Sequence, residues 1–268
     1  MSKKEIKAST DENLPMIFDM EADAGSGFEN VDADTFIVPR ISIIQSNSPQ
    51  VKDSKPEYNA EAREGMLLNT ATQELYDGNA GIGIIVCTFK RAFLEWMPRE
   101  TGGGLAGVHT PADYGLLNRE IRETDKGNKE FVVGTENTLA DTREHAVIVF
   151  VEGQKPFPAL MSFSSTQISK SKQIMTIMNG IEVQGKKGPF QPPLFAHEWH
   201  LTTVSESNAK GDWKGYKFAR LGMVSDAGKY NMAKVFSEQV KEGNVEAEGG
   251  EEGSQPKDAD INGGKQQF

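Results

Sequence analysis

The chain has 268 residues, 37% of them hydrophobic, and a formal net charge of −10. One cysteine excludes an internal disulfide, and the longest near-continuous apolar run, Ile82 to Phe89, falls far short of the roughly 20 residues that a membrane-spanning helix needs. The 27 Gly and 12 Pro suit one buried core with many turns, in a cytoplasmic protein whose thiol stays reduced and buried.

The negative charge belongs to the ends. Residues 1–34 carry three Lys and nine acids, and residues 238–268 carry three Lys and eight acids. By contrast, residues 153–237 hold 11 basic and five acidic groups. An acidic total therefore does not argue against a polyanionic ligand, because one stretch of the interior is distinctly basic.

In chain order, residues 1–34 lack sustained periodicity and predict a disordered acidic segment, with NLPMIFDM (13–20) as a short docking element. The opening MSKKEIKASTDENLP is charged and has no apolar h-region, so no secretory signal is expected. FIVPRISIIQ (36–45) predicts a strand, with Pro39 arguing for an edge or a bulge. GMLLNTATQELYD (65–77) predicts a hairpin turning across Asn69–Thr72. IGIIVCTFKRAFLEWM (82–97) predicts a long strand in which Ile82, Ile84, Val86 and Thr88 alternate with Gly83, Ile85, Cys87 and Phe89.

TGGGLAG (101–107) reads as a flexible hairpin tip beside Trp96 and Arg99. It lacks the Lys-Ser/Thr of a phosphate-binding loop and the spacing of GxGxxG. DYGLLNREIRET (113–124) predicts an exposed helix. Further strands are expected at Glu130–Val133, His145–Val151, Leu160–Phe163, Phe195–Val204 and Trp213–Val224.

Two more helices are expected. Ser165 to Asn179 follows a Ser/Thr-rich cap, spaces Ile168, Met175 and Met178 by one or two turns, and stops at Asn179-Gly180. Ala227 to Val240 places Met232, Val235 and Phe236 at helical spacing. Residues 238–268 predict a disordered acidic tail. The fold class is α+β, mostly β: a single domain over 35–237, read as an OB-like barrel with insertions and at least two helices. Other small barrels and sandwiches fit the same order.

The chemistry lies in the basic stretch. A single-stranded nucleic acid asks a protein for cations that follow its phosphates and flat rings on which unstacked bases lie. On an extended chain Lys214, Tyr216, Phe218 and Arg220 share one face, and Trp213, Gly215, Lys217 and Ala219 share the other. Candidate phosphate contacts are Lys170, Lys172, Lys186, Lys187, Lys214, Lys217 and Arg220. Candidate stacking rings are a subset of Trp199, Trp213, Tyr216 and Phe218. The ordinary alternative is that the rings are core and the lysines merely solvated.

No metal or cofactor motif competes. His197 and His200 in HEWH fall on opposite faces of a strand, and there is neither HExxH nor CxxC. No Ser-His-Asp or Cys-His arrangement emerges from spacing, so no enzyme is expected.

The β-rich core, the basic and aromatic C-terminal half and the acidic tail ending in Phe268 together resemble the single-stranded-DNA-binding proteins of bacteriophages. VPRISIIQSNSPQVK (38–52), FLEWMPRETGGGLAG (93–107) and SFSSTQISKSK (162–172) also look like stretches of uncharacterised phage early proteins. The resemblance implies an OB-type fold, sequence-independent binding of single-stranded DNA, and contact with replication or recombination enzymes through the tail, in the host cytoplasm. On this chain the tail elements are Glu251, Glu252, Asp258, Asp260 and Phe268; the Lys265-Gln-Gln-Phe ending departs from the family, which would place acids there. Self-association stays open. The rival readings are a phage structural or assembly protein that binds no nucleic acid, and a nucleic-acid-processing enzyme whose acids converge only in three dimensions.

Overall fold

A computed structural model of the chain describes residues 26–27, 37–124, 127–209 and 211–243, and all of its elements lie from Ile37 onward. The chain opens with β1 (Ile41–Ile43), β2 (Leu67–Asn69), β3 (Leu75–Tyr76) and the long β4 (Ile82–Trp96). Next come β5 (Leu105–His109), α1 (Pro111–Leu116), β6 (Arg119–Thr124), β7 (Gly127–Val132), β8 (Thr138–Phe150) and β9 (Phe157–Ser164). It ends with α2 (Ile168–Asn179), β10 (Val183–Gly185), β11 (Gly188–Phe190), β12 (His197–Asn208), β13 (Gly211–Met223) and α3 (Ala227–Lys241).

β4 organises the sheet. Its first half lies between β12 and β8, and its second half keeps β8 and takes β5 instead of β12. Ile82, Ile84 and Val86 enter one buried cluster while Ile85 and Cys87 enter another, so the alternation in the sequence is the alternation of two cores. Both faces are apolar because both are covered. α2 supplies Ile174 and Met178 to the first cluster, and α3 supplies Ala233 and Phe236 to the second. Burial pushes the Cys87 thiol up to about 12, which leaves it an unreactive apolar filler.

The expected pattern on the helices is corrected in part. On α3, Met232 and Val235 lie outside, and the buried stripe is Ala233, Phe236 and Ser237. On α2, the fully buried positions are Ser171, Ile174 and Met178.

A register shift between Val86 and Thr88 marks where β4 leaves the core, and beyond it Phe89, Lys90 and Arg91 are exposed. There the strand becomes the spine of an arm that also takes in β5, α1, β6, β7 and the start of β8. Gly102, Gly103 and Gly104 at its β4–β5 tip all have positive φ, which accounts for the triple glycine. The exposed helix expected over 113–124 is instead α1 followed by a strand. Thr110 caps α1 through a reciprocal bond with Asp113, but the chain extends at Leu117 and Arg119–Thr124 pairs with β7. The ring of Tyr114 decides this. It stacks on Phe93 at 3.5 Å, Arg119 covers it at 3.7 Å, and Glu130 accepts from both the hydroxyl and the guanidinium.

In the core the antiparallel order is β13-β12-β4-β8-β9, and α2 links β9 to the β12–β13 pair through a small hairpin. β1 runs between the two outer strands. Leu160 donates its N–H to the Pro39 carbonyl at 2.8 Å, and Tyr216 donates its hydroxyl to the Ile41 carbonyl at 2.8 Å. The strand expected over 36–45 is shorter, and Pro39 lies ahead of it, outside β1. The ladders stop short of a closed barrel. Towards β13, side chains stand in for a strand: Gln45 takes both the N–H (2.9 Å) and the carbonyl (2.8 Å) of Lys214, and Gln167 takes the N–H of Tyr216.

α2 is fastened to β8 by a 2.8 Å hydrogen bond between His145 Nε2 and Ser171 Oγ, both groups buried. Burial first, and Arg143 second, push the His145 pKa down from 6.5 to about 4. The unfolded chain therefore binds a proton that the folded chain refuses. Stability should be complete above about pH 6.5 and fall by up to roughly 3 kcal/mol as the pH drops towards 4. Urea unfolding of wild type and His145→Asn across this window checks it. The variant should lose much of the slope, leaving the smaller share of His197, whose pKa burial and Arg220 also lower.

Candidate nucleic-acid interface

The β12–β13 register sets Trp199 opposite Arg220, Leu201 opposite Phe218, Thr203 opposite Tyr216 and Ser205 opposite Lys214. The four residues Lys214, Tyr216, Phe218 and Arg220 do share a face, but the middle of that face looks into the core. Trp199 is 1% exposed and Tyr216 5%, so neither ring can take a base. Phe218 is half-buried, with its ring 5.9 Å from Phe163 and 6.1 Å from Tyr216. The reason is apolar area: Trp199, Leu201, Tyr216 and Phe218 form one contiguous patch, whereas the other face has Gly215, Lys217 and Ala219. Tyr216 tolerates burial because its hydroxyl finds the Ile41 carbonyl; its pKa is raised by that burial.

The two ends of the inward face escape the core. Lys214 lays its stem beside Gly65 and donates to Ser205 Oγ at 2.8 Å. Arg220 is exposed and donates from Nε to His197 Nδ1 at 3.1 Å.

On the other face Glu206 is the hub. It accepts from Lys170 Nζ at 2.5 Å, Trp213 Nε1 at 2.9 Å and Gln167 Nε2 at 3.4 Å. Burial works against its ionisation, but the bonds from Lys170 and Trp213 outweigh it and hold the carboxyl below its usual range. Lys170 is thereby neutralised in place, and Trp213 is pinned by its ring nitrogen. Beside them two polar cavities of about 450 and 320 Å³ share Glu64, Ser205 and Lys214. Their charged lining sets Arg63 and Lys214 against Glu64, Asp77, Glu206 and Asp212, a poor place for phosphates.

The exposed cations are elsewhere. Lys172 lies on α2, Lys186 and Lys187 form the turn between β10 and β11, and Lys217 lies on β13. None of these four has an ion-pair partner among the described residues. The structure thus joins Lys170 to Trp213 through Glu206 and sets Trp213 and Lys214 along one trough. Lys186 and Lys187 are carried on a separate hairpin. Two residues escaped the sequence reading. Glu206 gave no signal of its own, but Phe190, 50% exposed, did: it closes the run Gly-Lys-Lys-Gly-Pro-Phe (185–190), inside a stretch from Val183 to His197 without a single acid. Glu251, Glu252, Asp258, Asp260 and Phe268 lie outside the described residues.

His197 is buried, and His200 bonds through Nε2 to the Ala80 carbonyl at 2.8 Å. Among the described residues no group of three His, Cys, Asp or Glu could hold a metal ion, and no helix is long and apolar enough to cross a membrane.

Residues 7–246 match the family of Pam3 phage gp34-like proteins. The chain belongs to that family. It is a bacteriophage protein by this match, which runs across every element from β1 to α3. No curated protein and no solved structure matches it.

In this gp34-like chain the inward rings should answer to stability alone. Tyr216→Phe, which forfeits the bond to Ile41, should cost about 1 kcal/mol, and Trp199→Ala about 3–5 kcal/mol. Denaturant unfolding measures both. Neither site should report a nucleic acid directly: Tyr216→Phe at temperatures where it is folded should bind any ligand as wild type does.

Proposed function

We propose that this gp34-like protein binds single-stranded nucleic acid without regard to sequence, protecting phage DNA during replication or recombination. What carries the reading is the set of four exposed ammonium groups in the basic stretch, Lys172, Lys186, Lys187 and Lys217, which have no ion-pair partner among the described residues. Unpaired groups keep their whole charge for a ligand. Each phosphate they neutralise releases counterion, which supplies most of a sequence-independent affinity.

The strand order supports the same reading. A three-strand run (β4, β8, β9), a helix, and a hairpin whose first strand returns to pair with β4 is the order of a five-stranded Greek-key barrel of OB type, left open where β1 intervenes. In such barrels the second and third strands and the loops after the first and fourth strands hold the oligonucleotide. Here Ala146, Ile148 and Leu160 of the second and third strands are covered by α3. In this reading the ligand therefore lies along α2, the β10–β11 hairpin and β13, where the exposed lysines are. The acidic tail contacts replication or recombination enzymes in this reading, within the host cytoplasm, and no catalytic step is assigned.

A second reading, a structural or assembly component, draws on the arm. There Leu116 is 87% exposed, Ile121 61% and Val108 52%, apolar groups that a protein partner would cover. It predicts a stable assembly indifferent to DNA.

Titration of the full chain with oligo-dT at several salt concentrations separates the two. The nucleic-acid reading predicts log K falling with log salt at a slope of about −3 for four phosphate contacts, at roughly −0.7 each. The Lys186→Ala/Lys187→Ala double variant should bring the slope to about −1.4, half of that. No binding at low salt, or binding indifferent to salt, overturns it.

A further inference from the structure

The single-strand reading lacks a ring. Of the four proposed platforms, Trp199 and Tyr216 are buried, Phe218 faces the core, and Trp213 is tethered to Glu206 beside an acidic trough. Among the ten Phe, Tyr and Trp residues between 153 and 237, Phe190 alone is exposed.

Phe190 is also preset. β10 and β11 pair only with each other, Gly185 opposite Gly188, so the hairpin has no sheet beside it to hide the ring. The ring lies diagonally across against Gly185, where an added Cβ would come within 2.9 Å of it. Glycine leaves room for that approach, so the ring rests against the backbone of the neighbouring strand. Pro189, Pro192 and Pro193 stiffen the flanking chain, and Gln191 ties it to the Met178 carbonyl at the end of α2. A ring held in advance has little freedom left to lose on binding.

The charge on the hairpin itself has one sign, with Glu182 lying just before β10. Lys186 and Lys187 occupy the turn four and three residues before the ring, both exposed, and no acid occurs from Val183 to His197. An apolar protein partner would use the ring but not the cations, and duplex DNA would use the cations but not the ring. An unpaired base with its flanking phosphates uses both.

We propose that the β10–β11 hairpin is a binding finger for single-stranded nucleic acid, with Phe190 as the stacking platform and Lys186 and Lys187 on the adjoining phosphates. This rests on the nucleic-acid reading above and gives it its aromatic contact. The finger is sequence-tolerant, since every base offers a flat face.

The test uses the full chain with oligo-dT. Phe190→Ala should weaken binding about tenfold or more while leaving the salt slope unchanged, because a neutral ring releases no counterion. Phe190→Trp keeps a flat ring at the site, and its emission should be quenched on adding the oligomer. This readout stands even if the alanine variant folds poorly. If wild type fails to bind oligo-dT, the nucleic-acid reading itself falls. If wild type binds but Phe190→Ala binds equally well and the Phe190→Trp emission is unmoved, the finger is overturned and the nucleic-acid reading survives.

Discussion

Tyr216 crosses the inner cluster to give its hydroxyl to the carbonyl of Ile41, and Gln45 answers from the far end of the same segment by bonding both backbone groups of Lys214. This joint between β1 and β13 fixes which way the last strand faces. With Tyr216 inward, Trp199, Leu201 and Phe218 follow it on the shared face. A one-residue slip would bury Lys217 and expose Tyr216, and it would leave the Ile41 carbonyl without that donor.

The same joint manages the sheet's edge. β13 ends the strand order, and an edge strand presents unpaired N–H and carbonyl groups to any passing strand. Here Gln45 and Gln167 occupy those groups at Lys214 and Tyr216. Gln167 is held in turn near Glu206, which also gathers Lys170 and Trp213. The hairpin's closed end is therefore committed to structure. What stays free for a ligand is the lysine-bearing exterior of α2, β13 and the finger.

Much of the fold was legible because period and punctuation act locally. The alternation through Ile82–Cys87 became two separate cores, and Asn179-Gly180 ended α2. Period two tells which residues share a face, but not which face turns inward; that depends on Ile41 and Phe163, distant in sequence. Trp199 and Tyr216 looked like platforms for this reason. The segment 113–124 failed similarly, since its helical spacing lost to β7, a partner no local window contains. The short hairpin at 183–190 was too small to carry any period. Its two glycines and paired lysines were the available signal.

A single organising idea joins these points: the core consumes the rings of β12 and β13, and the ligand surface is what the core leaves outside. Photocrosslinking of the full chain to a thymidine oligomer, mapped by peptide mass spectrometry, tests it most directly. The account predicts adducts within residues 183–190, together with contacts on α2 and the outer face of β13. Adducts concentrated at Trp199 and Tyr216, or in the arm over 91–143, would contradict it.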